Sequence, residues 1–122
     1  MEMAERMDAL AKVVGGRRLL IGLSGGIACY KTATVVSRLS QAGAEVTVLM
    51  TEAATRFVTP LTFQALSGRP VYTTQWSHVE AHDPQHISLA RLAEAMLIAP
   101  CSMDLLAKLA TGRTDDVVSL IV

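Results

Sequence analysis

The sequence has few aromatic residues, only two cysteines, no excess charge and no long hydrophobic run. Aromatic side chains make up 4% of the 122 residues, so the hydrophobic fraction of 51% comes mostly from aliphatic side chains. An aliphatic core is typical of a layered α/β domain, and this length suits a single domain. The two cysteines, Cys29 and Cys101, are too few for a disulfide framework, so we expect both thiols to be reduced.

The balance of charge limits the classes of partner. Eleven basic residues are matched by eleven acidic residues, whereas proteins that bind nucleic acids or anionic membranes usually carry a basic excess. No apolar run approaches the length of a membrane span, and residues 1–14 lack the apolar stretch of a signal peptide. We therefore predict a cytoplasmic protein that binds neither nucleic acid nor membrane. A small phosphorylated ligand held by backbone amides remains compatible with this composition.

The order of the hydrophobic segments predicts a three-layer α/β/α fold around a doubly wound parallel sheet. Short apolar runs indicate strands over 19–23, 45–50, 71–76 and 96–99. Helical patterns cover 2–14, 27–42, 51–57, 60–66, 87–95 and 104–111, and a polar loop covers 78–85. The apolar run 117–122 suggests that the natural chain continues, so we expect the domain to be truncated at its C-terminus. Sheets of this kind bind ligands where their parallel strands end.

The first candidate binding segment is a glycine-rich turn after the first strand. Ser24, Gly25 and Gly26 join that strand to a helix, where glycines let a phosphate approach and free N–H groups attract an anion. The turn is neither the dinucleotide-binding pattern G-x-G-x-x-G nor a P-loop with its Lys-Ser/Thr pair. Taken alone, it fits either a phosphate site or a tight turn that binds nothing.

The second candidate segment is the turn PCSMDLLAK, residues 100–108, which follows the strand over 96–99. Ser102 or Asp104 is suited to cap the next helix, and capping is the favoured interpretation of an isolated Ser-x-Asp pattern. A second strand-to-helix turn beside the first would nevertheless place two sets of backbone donors along one sheet edge. That arrangement suits a mononucleotide.

Three histidines recur at intervals of four residues. His78, His82 and His86 would align on a helix, but Pro84 interrupts it. We therefore predict that the protein binds no metal. His86 immediately precedes the helix over 87–95, where it either faces the ligand edge of the sheet or is an exposed loop residue.

The cysteines and two of the aromatic residues have no specific signal of their own. Neither Cys29 nor Cys101 has a sequence neighbour that would activate a thiol, so we expect both to be packing residues. Phe57 and Trp76 either stack on a flat ring or fill the core, and filling the core is the simpler interpretation of each alone.

Three segments in order resemble the homo-oligomeric flavin-containing cysteine decarboxylases. Residues 22–31 (GLSGGIACYK) resemble the family's opening glycine-rich motif, and residues 46–66 resemble its second strand and following helices. Residues 86–116 resemble the His-Ile-x-Leu segment, the strand ending in Ile-Ala-Pro and the closing Gly-x-x-Asp-Asp. The resemblance spans residues 18–122 and implies a Rossmann-like or flavodoxin-like flavoprotein domain, preceded by an extension with a short helix over residues 1–17.

The resemblance implies that the protein binds FMN. The two glycines of the first turn and Ile27 would line the phosphate, and Thr51 and Phe57 would flank the flavin. The FMN-binding residues implied in this way are Ser24, Gly25, Gly26, Ile27, Thr51, Phe57, Ser102, Met103, Asp104 and Leu105. His86 matches the catalytic histidine of the family.

The resemblance also implies a reaction, the oxidative decarboxylation of a cysteine residue. In the coenzyme A branch of the family, this reaction converts 4'-phosphopantothenoylcysteine to 4'-phosphopantetheine in a homotrimer or a dodecamer. A flavin prenyltransferase, a peptidyl-cysteine decarboxylase and a non-catalytic flavin-binding subunit are the alternatives. His86 and Asp115-Asp116 favour the decarboxylase branch over the prenyltransferases.

The sequence departs from the family pattern in two places. Asp104 stands where the family has Asn, so an amide that donates and accepts is replaced by a carboxylate that only accepts. The family's later Pro-x-Met-Asn motif and its flap cysteine are not among the 122 residues. The resemblance therefore implies flavin binding more directly than a complete catalytic cycle.

Overall fold

The computed structural model describes residues 2–73 and 92–112. In chain order, the elements in these ranges are α1 (Glu2–Val14), β1 (Arg18–Leu23), α2 (Cys29–Gln41), β2 (Glu45–Met50), a single 3-10 turn (Ala54–Arg56), α3 (Pro60–Ser67), β3 (Ala95–Ile98) and α4 (Met103–Thr111). No helix within this part of the chain is long and apolar enough to cross a membrane.

The described strands form one parallel sheet in the order β2-β1-β3. The register pairs Arg18 of β1 with Glu45 of β2, and Leu19 of β1 with Ala95 of β3. Because β1 is central, the chain leaves it towards β2 on one side and returns to β3 on the other. The strand order therefore reverses between β1 and β3, and open α/β sheets form a crevice at such a point, at the carboxyl ends of the strands.

Helices cover both faces of the sheet. On one face the strands pack against α2 and α3, and the buried residues are Ile21, Leu23, Cys29, Val36, Ala44, Val46, Val48, Met50, Ala54 and Phe63. On the opposite face, Leu20 of β1 and Leu49 of β2 pack against Leu105 of α4. Successive strand residues point to opposite layers, as the two-residue period of a strand requires. The predicted three-layer α/β/α fold is confirmed.

Proline and glycine set the ends of α3, as the sequence predicts. Pro60 lies in the first turn, where its missing N–H removes no helical hydrogen bond. Gly68 ends the helix with a φ of 71°, a left-handed conformation in which a side chain is unfavourable. Between them Phe63 is fully buried, which stabilises the fold by about 1.5–3 kcal/mol relative to an exposed side chain.

Two predicted helices are shorter in the structure. The helix predicted over 27–42 begins at Cys29, because Ile27 and the residue after it belong to the preceding turn. The helix predicted over 51–57 is only the 3-10 turn Ala54–Arg56. The residue before Pro60 is held extended, with a Thr59 ψ of 148°, so the 3-10 turn does not run on into α3.

The strands predicted over 71–76 and 96–99 also differ from the structure. Among residues 71–73, Tyr72 forms the bridge to β2: its N–H donates to Val48 O at 3.0 Å, and its carbonyl accepts from Met50 N at 2.8 Å. Residues 74–76 lie outside the described part. β3 begins at Ala95 and so removes that residue from the helix predicted over 87–95. The preceding Glu94 N already donates to Arg18 O of β1 at 2.8 Å.

Candidate functional site

The two candidate turns meet at the crevice between β1 and β3. We call residues 24–28, which join β1 to α2, the first turn, and residues 99–102, which join β3 to α4, the second turn. The ladder between the strands continues into this region, because Ala99 N donates to Gly22 O at 2.9 Å. The structure thus brings together two segments that are more than seventy residues apart in the sequence.

The hydroxyl of Ser24 joins the first turn to the second. Ser24 is only 1% exposed, and its Oγ donates to Pro100 O and accepts from Ser102 N, both at 2.6 Å. Its backbone N–H also donates to Pro100 O, at 3.0 Å. Ser24 was expected among the FMN-binding residues, but its only hydroxyl proton is used within the chain. The side chain thus holds the two turns together, and its part in FMN binding stays a prediction.

Within the described residues, the N–H groups at the start of α2 have no partners. No hydrogen bond within residues 2–73 and 92–112 is donated by the N–H groups of Gly25, Gly26, Ile27 or Ala28. Ala28 occupies the N-cap position of α2 and has no side chain that could accept a hydrogen bond. A helix N-terminus with free donors carries a partial positive charge and attracts anions.

Both glycines of the first turn are required by close contacts. A Cβ on Gly25 would lie 2.8 Å from the Cβ of Ala53, and a Cβ on Gly26 would lie 3.3 Å from Cγ of Pro100. The first distance is shorter than side chains tolerate, and the second is tight. The turn therefore combines free backbone donors with two positions at which only glycine fits against the neighbouring chain.

The second turn starts α4 with a side-chain cap. Ser102 Oγ accepts a hydrogen bond from Leu105 N at 3.1 Å, which confirms the N-cap interpretation for Ser102. The Leu105 side chain is buried against the sheet, so both its amide and its side chain are committed to the fold. Met103 is 82% exposed, and the exposed Asp104 forms an ion pair with Lys108 at 3.2 Å.

The segment after β2 contributes one buried and one exposed residue near the same edge of the sheet. Thr51 N donates to Leu23 O at 2.9 Å, and Thr51 Oγ1 accepts from Ala54 N at 3.2 Å. Thr51 thus shapes this segment through contacts within the chain. Phe57 is 53% exposed, so the simpler interpretation that it fills the core is wrong.

Three exposed apolar side chains follow the carboxyl ends of the three described strands. Ile27 follows β1, Phe57 follows β2 and Met103 follows β3, and each is more than half exposed. We call these residues the apolar rim. An apolar rim beside free backbone donors fits a ligand that has both an anionic group and a flat, weakly polar ring.

The two cysteines differ in their surroundings. Cys29 is buried under the first turn, and its Sγ donates to Ser24 O at 3.4 Å. Burial raises the pKa of the Cys29 thiol above its usual value. Cys101 is exposed in the second turn, so the prediction that both cysteines are packing residues is wrong for Cys101.

Sequence reasoning did not identify Thr32 of α2. Its Oγ1 donates to Ala99 O of the second turn at 2.8 Å, although Thr32 itself lies within α2. The signal was its position, because the buried residues of α2 are Cys29, Thr32 and Val36, which share one helix face. A hydroxyl on a buried apolar face needs a partner, and that partner belongs to another segment.

The remaining predicted residues lie outside the described ranges. They are His78, His82, His86, Trp76 and the pair Asp115-Asp116. The catalytic role of His86 and the absence of a metal site therefore stay predictions.

The chain belongs to the Flavoprotein family, whose model matches residues 9–122. The coenzyme A biosynthesis bifunctional protein CoaBC of Vibrio vulnificus is 44% identical over 111 residues, which cover 91% of this chain and 28% of that protein. The protein of the same name from Mycolicibacterium smegmatis is 46% identical over 103 residues, which cover 84% of this chain and 24% of that protein. The chain therefore spans about a quarter of the length of the curated relatives it matches.

Solved structures show the same architecture. The FMN-dependent cysteine decarboxylase SpaF matches with a TM-score of 0.73 and 28% identity, over 92% of this chain and 62% of that chain. The FMN-dependent cysteine decarboxylase TvaF, from thioviridamide biosynthesis, matches with a TM-score of 0.79 and 28% identity, over 88% of this chain and 66% of that chain. The flavodoxin-like flavoprotein fold is thereby confirmed.

Proposed function

We propose that the protein binds FMN in the crevice between β1 and β3 and is the flavin-binding part of a phosphopantothenoylcysteine decarboxylase of coenzyme A biosynthesis. The observation that carries the proposal is the uncapped start of α2, where the N–H groups of Gly25, Gly26, Ile27 and Ala28 have no partner within the described residues. Support for FMN comes from the related structures named as FMN-dependent cysteine decarboxylases. Support for the pathway comes from the relatives named CoaBC.

The first turn would hold the phosphate of FMN. Its free N–H groups donate to phosphate oxygens, and the α2 dipole adds roughly half a positive charge at the same point. Gly25 and Gly26 let the turn pack closely against Ala53 and Pro100, which sets the path of the backbone that presents these N–H groups. Ser24 acts indirectly here, since its hydroxyl holds the two turns together.

The apolar rim would contact the isoalloxazine ring. Ile27, Phe57 and Met103 supply exposed apolar surface, and an aromatic side chain stacks on a flat ring with an offset or edge-on geometry. Thr51 shapes the backbone between β2 and Phe57. The second turn, with Ser102, would close the site from the side of β3.

Asp104 places a negative charge at the second turn, and this charge opposes an anionic ligand. Its carboxylate is exposed, and the ammonium of Lys108 lies 3.2 Å away on the next turn of α4. The carboxylate is exposed whereas the Lys108 side chain is only 16% exposed, and their pairing keeps the net charge of this helix end near zero. The site therefore tolerates the aspartate that replaces the family's asparagine.

When bound, FMN supplies a two-electron oxidation of the substrate thiol and, in the coenzyme A branch, the return of those electrons. The chain's own contribution is to bind and orient FMN and substrate and to exclude water. His86 is proposed as the catalytic residue. An imidazole side chain is suited to this role, because histidine can exchange a proton or pair with a carboxylate near neutral pH.

We further propose that the protein is cytoplasmic and works as a homotrimer or a dodecamer, on a phosphorylated cysteine substrate. The apolar rim supports self-association, because exposed apolar surface next to a ligand site is commonly covered by a neighbouring subunit. Residues 1–17 are proposed to be an extension of the flavoprotein domain over 18–122. The absence of any buried residue in α1 supports this division.

Titration of the purified protein with FMN, FAD and NAD tests the proposed cofactor. We expect FMN fluorescence to be quenched with saturation, and FAD and NAD to bind at least tenfold more weakly. A protein that binds none of the three would refute the proposal. Release of CO2 from 4'-phosphopantothenoylcysteine then separates the enzyme from a non-catalytic flavin-binding subunit, which would bind FMN without turnover.

A further inference from the structure

We propose that Thr32 is a positioning residue for FMN binding, because its hydroxyl holds the second turn against the first. This inference rests on the proposed function. It assigns a role to a buried side chain in α2 that does not itself face the crevice.

The hydroxyl of Thr32 has a local alternative that it does not use. A threonine inside a helix commonly donates to the carbonyl four residues earlier, and here that atom is Ala28 O, 3.5 Å away. The contact with Ala99 O is much shorter, at 2.8 Å. A hydroxyl has one proton, so the hydrogen bond leaves the helix and joins α2 to the end of β3.

This bond completes a set of contacts that fixes the second turn. Ala99 N is held by Gly22 O, and Ala99 O is held by Thr32, so both polar groups of its backbone are paired. The next residue, Pro100, accepts two hydrogen bonds from Ser24. The second turn is therefore anchored to the segment β1-α2 at two consecutive residues.

The anchored residue also borders the proposed phosphate site. The Pro100 ring lies 3.3 Å from the position that a Cβ on Gly26 would occupy. Gly26 supplies one of the free N–H groups of the first turn. Removing the hydroxyl of Thr32 frees Ala99 O, which lets the Ala99-Pro100 segment move relative to Gly26 and changes the width of the crevice. Binding of FMN would then have to order this segment, which costs free energy, and the affinity for FMN would fall.

Isosteric replacement of Thr32 tests the inference. Thr32→Val keeps the shape of the side chain and removes the hydroxyl, whereas Thr32→Ser keeps the hydroxyl. Thr47→Val is the matched control, because Thr47 is 5% exposed and Thr32 is 4% exposed. The Thr47 hydroxyl accepts a hydrogen bond from Arg69 Nε at 3.1 Å, and neither Thr47 nor Arg69 belongs to the two turns. FMN affinity is measured by fluorescence titration well below the melting temperature, together with the visible spectrum of bound FMN and the Tm of the free protein.

We expect Thr32→Val to weaken FMN binding about tenfold, which corresponds to about 1.4 kcal/mol, and to shift the flavin spectrum. Thr32→Ser should bind FMN within about threefold of the wild type, about 0.7 kcal/mol. Thr47→Val should lower the Tm without changing FMN affinity or the spectrum. This combination separates positioning from a general loss of stability. If Thr32→Val does not fold, Thr32→Ala provides a second variant without the hydroxyl.

Two results would overturn the inference alone. The first is wild-type FMN affinity in the variants without the hydroxyl, and the second is an equal loss of affinity in Thr47→Val. A wild-type protein that does not bind FMN would overturn the proposed function as well, so the two failures are distinguishable.

Discussion

Replacing Ser24 with alanine tests the buried hydroxyl that joins the two turns of the site. The change removes the donor to Pro100 O and the acceptor of Ser102 N, each at 2.6 Å. The bond from the backbone N–H of Ser24 to Pro100 O remains, so that carbonyl keeps one donor. The N–H of Ser102 keeps no acceptor among the described residues.

The magnitude follows from this difference between the two partners. Losing an ordinary hydrogen bond costs about 1 kcal/mol, and leaving a buried donor unpaired costs about 1–3 kcal/mol. Ser102 is only half-buried, so water can partly replace the lost acceptor. We therefore expect Ser24→Ala to lower the free energy of unfolding by about 2–3 kcal/mol, a large part of the 5–15 kcal/mol typical of a domain.

Urea denaturation followed by circular dichroism measures the change, and Ser40→Ala is the matched control. Ser40 lies in α2, and its Oγ is buried with no hydrogen-bond partner in the part of the chain that the structure describes. Removing an unpaired buried hydroxyl should leave stability unchanged or raise it. Equal effects of the two substitutions would refute the reasoning, because both remove the same atoms and only Ser24 loses hydrogen bonds.

Further predictions concern a glycine, the family histidine and the thiols. Gly25→Ala should weaken FMN binding, since its Cβ would meet that of Ala53 at 2.8 Å, and unchanged affinity in a titration would contradict the close contact. His86→Asn should retain FMN but lose CO2 release, and wild-type turnover would remove His86 from the mechanism. Burial raises the pKa of Cys29 from 9.0, so its contribution to stability is full below pH 9 and falls as the pH rises towards the raised value. Cys29→Ala should reduce the loss of unfolding free energy at alkaline pH, measured by urea denaturation at several pH values. A pH dependence like that of the wild type would show that Cys29 is not its source. In the native protein, Cys101 should react with a thiol reagent before Cys29, as mass spectrometry of the labelled peptides would show.

Those parts of the fold that depend on local chemistry were predictable. Pro60 marks the start of α3 and Gly68 its end, because a fixed φ and a left-handed φ are properties of single residues. Continuous apolar runs predicted β1 and β2, because a strand that is covered on both faces is apolar along its whole length. The prediction over 51–57 was too long, because a helical composition does not supply the length that an α-helix needs, and only the 3-10 turn Ala54–Arg56 forms there.

The contacts of the site were less predictable, because they depend on which segments the sheet brings together. A serine in a glycine-rich turn can bind a ligand or bridge to another segment, and nothing near Ser24 in the sequence decides between them. The partners that decide are Pro100 and Ser102, which lie more than seventy residues away. Thr32 was missed for the same reason, although its place on the buried face of α2 indicated an unknown partner.

The contrast between the two helix N-termini supports the proposed phosphate site at the first turn. Both α2 and α4 begin at the carboxyl edge of the sheet, so both direct a partial positive charge towards the crevice. Ser102 already caps α4, and Asp104 places a negative charge in its first turn. The start of α2 has neither a capping side chain nor an acidic residue in its first turn. An anion gains most where donors are free and no first-turn carboxylate competes, which favours the proposed phosphate site at α2 and leaves the second turn for the less charged part of the ligand.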